Sequence, residues 1–111
     1  MRIALKSDAR RIYVAYGIYW SDVHGKLDRY HSIIDVEDGL AGFYVLPESS
    51  VDIIAPSLDN YTLIRNDMGE DMLVHNAACL NEGLFDALVN HVDPKNVERL
   101  FQNTRKMGLE P

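Results

Sequence analysis

The chain has 111 residues and a formal net charge of −6, with 47% apolar and 25% charged residues. Those proportions exclude a disordered chain and match one folded α+β or similar domain spanning residues 1–111. The negative balance excludes sequence-independent nucleic-acid binding, which relies on Lys and Arg to neutralise phosphates. No apolar run reaches the roughly 18 residues that cross a bilayer, so neither nucleic acid nor membrane is an expected partner.

The chain opens on MRIALKSDARR. Its apolar run is too short for a signal peptide and it lacks a small-residue cleavage site. One cysteine, Cys79, cannot close an internal disulfide, and a reducing, cytoplasmic setting is the expectation. Residues 11–20, RIYVAYGIYW, are β-branched and aromatic and suit a pleated surface. Ile12, Val14, Tyr16, Ile18 and Trp20 alternate with Tyr13, Ala15, Gly17 and Tyr19, and both sets are apolar or small. The pattern predicts a central strand covered on both sides.

SDVHGK, residues 21–26, predicts a turn with Gly25 at positive φ. A second strand follows over 27–36. Glu37-Asp38-Gly39 is a tight hairpin signal, leading to a third strand over 40–46 that Pro47 stops. Shorter strands are expected over 51–55, stopped by Pro56, and over 61–65. NDMGED then predicts a turn and 72–75 a last short strand.

The periodicity changes near residue 76. Leu84, Phe85, Leu88, Val89 and Val92 recur at helical spacing. Asn81 is a candidate N-cap, and Asn76 would start the helix a turn earlier with Gly83 inside it. Asp93-Pro94 marks a second helix start, with Val97, Leu100, Phe101, Thr104 and Met107 as its apolar face. Arg105 and Lys106 suit its last turn, and Gly108 its C′ position. Residues 1–75 are therefore mainly β and 76–111 mainly α. The expected fold is α+β: an antiparallel, mostly meandering sheet of about five or six strands, with two C-terminal helices packed on it.

RNDMGEDMLVH, residues 65–75, is the most polar stretch and the first place to look for chemistry. Asp71, His75 and Cys79 recur every four residues, a zinc-binding spacing on a continuous helix. On a strand the ends of such a set lie roughly 13 Å apart, too far for one ion. Asp67, Glu70 and Asp71 do not follow the calcium-loop pattern. Cys79 with His24, His31, His75 or His91 would make a nucleophilic pair if a cation or helix N-terminus lowered the thiol pKa. Its neighbours in HNAACL suit a structural cysteine better. Acids are plentiful, but they sit with turn residues, where solvent levels the pKa differences that carboxylate catalysis needs. Gly17, Gly25, Gly39 and Gly42 are isolated and form no phosphate loop. The aromatics Tyr13, Tyr16, Tyr19, Trp20, Phe43 and Tyr44 lack the basic stripe of a base-stacking surface. They read as core, with some left on a face suited to a protein partner. No catalytic residue, metal site or cofactor is assigned.

Charge is the stronger signal. Residues 35–71 hold nine acids (Asp35, Glu37, Asp38, Glu48, Asp52, Asp59, Asp67, Glu70 and Asp71) against one base, Arg65. That segment carries −8 and the remainder +2. A concentrated negative field speeds association with a basic partner. The charge argument selects Glu37, Asp38, Asp67, Glu70 and Asp71 as main contacts, with Asp52 and Asp59 peripheral.

The aromatic strand RRIYVAYGIYW, the acidic turns DVEDG and NDMGED and the lack of a catalytic signature together give a profile. It resembles the small acidic immunity proteins of bacterial contact-dependent inhibition and related toxin systems. The resemblance covers the whole chain and implies a non-catalytic, cytoplasmic inhibitor. Such a protein binds a cognate toxin, often a basic nuclease, and blocks its active site or substrate access. Two other readings stay open. One is a small enzyme or ligand-binding domain with a pocket at His75 and Cys79, and the other is a structural or regulatory subunit that forms a homo-oligomer.

Overall fold

The computed structural model describes residues 1–23, 25–65 and 69–111. The chain is α+β, with β1 (Arg2–Leu5), β2 (Asp8–Val14), β3 (Gly17–Val23), β4 (Lys26–Glu37) and β5 (Leu40–Pro47) in order. A 3-10 turn (Glu48–Ser50), β6 (Val51–Ala55), β7 (Tyr61–Arg65) and β8 (Asp71–His75) follow, then α1 (Asn76–Cys79), α2 (Leu84–Asn90) and α3 (Pro94–Lys106). The strands make two antiparallel sheets, a small one ordered β2-β1-β6 and a large one ordered β5-β4-β3-β8-β7.

The single sheet expected from the sequence is thus two. Residues 11–20 are not one strand, because β2 ends at Val14 in the small sheet and β3 begins at Gly17 in the large one. Val14 through Ile18 are all buried, which is why both faces of this stretch read as apolar. Ile12 and Trp20, nearer its ends, are exposed. Tyr16 fixes the crossing. Its amide donates to the Ser32 carbonyl at 2.8 Å, and its hydroxyl contacts Thr104 Oγ1 of α3 at 3.0 Å. Only β3, β4 and β5 form a meander; β8 docks against β3 from the far end of the sequence.

Each face of the large sheet has its own core. Ile34 and Val74, with Phe43 and Met72 beside them, meet Leu84, Leu88, Val97 and Leu100 of the helices. On the opposite face Ile33 and Leu46 meet Ile3, Tyr13 and Val51 of the small sheet. The large sheet is therefore the middle of three layers. Gly17 lies at its centre under Phe85, where a Cβ would fall 2.9 Å from the ring.

The expected first helix is two short ones. His75 caps α1, its Nδ1 accepting from the Ala77 amide at 3.1 Å. The first ends at Cys79, and Gly83, at φ 76°, occupies the N-cap position of α2. Asn81 is instead an anchor: Asn103 of α3 donates from Nδ2 to the Asn81 side-chain oxygen and to the Ala77 carbonyl, both at 2.9 Å. The last helix starts as its sequence predicts, with the Asp93 carboxylate accepting from the Lys95 amide at 2.7 Å and Pro94 in the first turn. Gly108 adopts φ 78° just past its end.

Candidate functional site

The acidic segment is not one surface. Asp38 and Gly39 both have positive φ, 53° and 76°, and form the two-residue hairpin between β4 and β5 in which Glu37 faces Leu40. Asp38 is thus accounted for by turn geometry, since Asp tolerates this backbone region. The β7–β8 end lies far away. Tyr30, Tyr19 and Met72 share one row across β4, β3 and β8, and Asp71 is one residue beyond Met72 on β8. Glu37 is seven residues along β4 from Tyr30, in the opposite direction. At 3.3 Å per residue, that places Glu37 and Asp38 roughly 25 Å from Glu70 and Asp71. The Debye length at physiological salt is about 8 Å.

Asp52 lies exposed on β6 of the small sheet, and Asp59 in the loop after it. Asp67 lies outside the described residues, as does His24. Arginines also thread through the acids. Arg11 pairs with Asp35, Arg29 with Glu48 at 3.3 Å, and Arg65 with Asp71 at 3.2 Å across the β7–β8 hairpin.

The polar groups considered for chemistry are occupied structurally. His75 is buried, in edge contact with the Tyr16 and Tyr61 rings at 5.6 and 5.1 Å. Burial, aided by the amino-terminal charge, lowers its pKa to about 4. Its Nδ1 lone pair is held by the α1 cap. Cys79 is exposed at the end of α1, and partial burial of the thiol raises its pKa, the opposite of nucleophile activation. Asp71, His75 and Cys79 lie on β8 and at the two ends of α1. Among the described residues, no group of three or more His, Cys, Asp or Glu is arranged to hold a metal ion. His31 is fully buried between the layers, with Nε2 accepting from Arg29 Nε at 3.1 Å and Nδ1 3.3 Å from the Leu46 carbonyl.

The large sheet leaves apolar side chains open on both faces: Trp20, Leu27 and Leu63 are exposed on the face away from the helices, and a continuous row lies on the helix side. The register lines up Pro47, Tyr30, Tyr19, Met72 and Ile64 in one row across all five strands. The Tyr19 and Tyr30 rings stack at 5.4 Å. The neighbouring row, with Ser32, Gly17 and Val74, is buried, because Phe85 of α2 lies on Gly17. One row further out, the helical layer ends. Tyr30, Tyr19, Met72 and Pro47 are half-buried, and Ile64 is 38% exposed.

A mainly apolar hollow of about 340 Å³ opens here between α2 and the sheet, lined by Tyr19, Phe43, Val45, Met72, Phe85, Asp86 and Val89. A second, of about 330 Å³, continues past Met72 to Ile64, with Glu82, Asp86 and the cation Arg65 on its wall. Carboxylates border the row on both sides. Asp86 and Glu82 stand on the α2 side. Asp28 stands two residues beyond Tyr30 on the same face of β4, and the Glu70 charge reaches the Tyr19 hydroxyl. Burial, then Tyr30, then Glu70 hold that hydroxyl above its ordinary pKa. Lys26, at the start of β4, is the cation on this side of that strand.

In the sequence Tyr19 is one of six aromatics that read as core, with some left on a partner-binding face, and the row itself is not visible. Alternation within each strand was legible. The pairing that joins Ile64 and Met72 to Tyr19 depends on β8 docking beside β3, which no local signal encodes. No family model matches the chain, and neither a curated protein nor a solved structure matches it.

Proposed function

We propose that this chain is a non-catalytic protein-binding module, an inhibitor of the immunity type that neutralises a basic toxin domain such as a nuclease. The observation that carries this reading is the half-open apolar row Pro47–Tyr30–Tyr19–Met72–Ile64 with carboxylates along both borders. Aromatic and Met side chains in a half-formed hollow are favoured anchors for a protein partner. The flanking acids orient and accelerate encounter with a positive surface. Of the charge-selected contacts, Glu70 belongs to this surface; Glu37 and Asp38 contribute only remote steering. The occupied His75 and the raised Cys79 thiol weigh against the enzyme reading.

The test is affinity capture from the native host with the wild-type chain, with Tyr19→Lys and with Glu37→Lys/Asp38→Lys. A basic polypeptide retained by the wild type and the hairpin variant, and lost by Tyr19→Lys, supports the reading. Retention by all three, or a bound metabolite in place of a protein, overturns it.

A further inference from the structure

The open row also has a shape, and the shape selects the form of what covers it. This step rests on the protein-binding reading above. Five strands with four spacings of about 4.8 Å make the row roughly 19 Å long. It runs across the strands, so an added strand cannot hydrogen-bond to it; backbone edges lie only at β5 and β7. Helices already cover the row on one side of it, with Phe85 of α2 seated on the sheet next to Tyr19 and Met72. A further element on this face therefore joins a layer of helices. At 1.5 Å per residue, 19 Å is about thirteen residues, or three and a half turns. Its apolar stripe would meet Tyr30, Tyr19, Met72 and Ile64. Asp28 and Glu70 lie along one border of that stripe and Asp86 and Glu82 along the other; these four acids outnumber the two bases there, Lys26 and Arg65, so cations are matched on both flanks.

We infer that the row is the docking groove for a basic amphipathic helix of a partner protein, about three to four turns long, with one apolar stripe edged on each side by Lys or Arg. Bound there, the helix lies alongside α2 and completes the helical layer. Helix-in-groove recognition of this kind reads anchors at i, i+3, i+4 and i+7, and long basic side chains reach past the apolar stripe to the flanking carboxylates.

The probe is a synthetic fourteen-residue peptide with Leu at helical spacing and Lys on both edges of the stripe. Two controls accompany it: the same residues reordered to strict Leu–Lys alternation, and the helical peptide with Glu for Lys. Titration into the isotope-labelled chain, followed by amide chemical shifts, locates binding. The expected result is perturbation centred on Tyr19, Tyr30, Met72, Ile64 and Asp86 by the helical basic peptide alone. At physiological salt, Tyr19→Lys and Glu70→Lys/Asp86→Lys should each weaken it by at least about tenfold, and Glu37→Lys/Asp38→Lys should leave it unchanged. Tyr19→Ser serves as a milder variant if Tyr19→Lys does not fold.

Equal binding of the reordered or acidic peptide, or perturbation centred on the β4–β5 hairpin, overturns the inference. Elution of the chain at twice its mass, reversed by Tyr19→Lys, also overturns it and assigns the row to a second copy. A captured native partner that depends on Tyr19 while no helical peptide binds removes the helix proposal and leaves the protein-binding reading standing.

Discussion

At the level of single residues, the side chains that look chemical in the sequence do structural work in the fold. His75, one of the candidate ligands in the sequence, is an N-cap buried between two tyrosines. No pattern in DMLVHNAAC distinguishes these roles, because capping depends on where β8 stops. Burial lowers its pKa from 6.5 to about 4, and burial likewise lowers that of His31. The unfolded chain therefore binds protons on both histidines at pH values where the folded chain does not. Their contribution to stability is complete above pH 6.5 and is lost as pH falls toward 4. The melting temperature should fall across that window. His75→Asn, which keeps a capping oxygen, should flatten the fall in part and leave a residue due to His31. Equal slopes for wild type and variant in a melting series from pH 7 to pH 4 would refute the assignment.

Gly17 makes a second case at this scale. A Cβ there would sit 2.9 Å from the Phe85 ring and 3.2 Å from Ser32 Oγ. Phe85 is half-buried and its ring end can give way, so Gly17→Ala should cost about 1–2 kcal/mol in urea unfolding and Gly17→Val more. A neutral Gly17→Ala would mean that Phe85 is not held on the sheet.

Among the helices, the last was the most legible. Asp93-Pro94 and Gly108 mark the ends of α3 through local chemistry that acts wherever the segment lies. The hairpin at Asp38-Gly39 was readable for the same reason. The passage from β2 to β3 was not, because a chain crossing between two sheets shows the same apolar run as a strand covered on both faces. Asn103 was equally hidden. It is a polar residue on α3, 3% exposed, and it ties α3 to α1 through Ala77 and Asn81. Replacing it with Leu keeps the bulk and leaves the Ala77 carbonyl without this donor in a buried site. The expected loss is about 1–3 kcal/mol, measured by urea denaturation. An unchanged midpoint would show that α1 holds its place by packing alone.

For the molecule as a whole, charge counted along the sequence gave a single acidic block, and the fold divides it. Arg11, Arg29 and Arg65 neutralise Asp35, Glu48 and Asp71, two of them from outside the acidic segment. The hairpin acids Glu37 and Asp38 lie about three Debye lengths from Glu70, so on the proposed reading the two ends would act on a basic partner by different routes. Reversal at the hairpin, Glu37→Lys/Asp38→Lys, changes only long-range steering. It should slow association at low salt, lose its effect near physiological salt, and leave dissociation untouched. Reversal beside the apolar row, Glu70→Lys/Asp86→Lys, removes contacts made in the complex and should speed dissociation at any salt. Because the two sets share no partners, their effects on binding free energy should add to within about 0.5 kcal/mol in the combined variant. Surface-plasmon kinetics at two salt concentrations separate these terms. A coupling well above that limit would mean that one partner bridges both ends, and the acidic block would then act as a single surface after all.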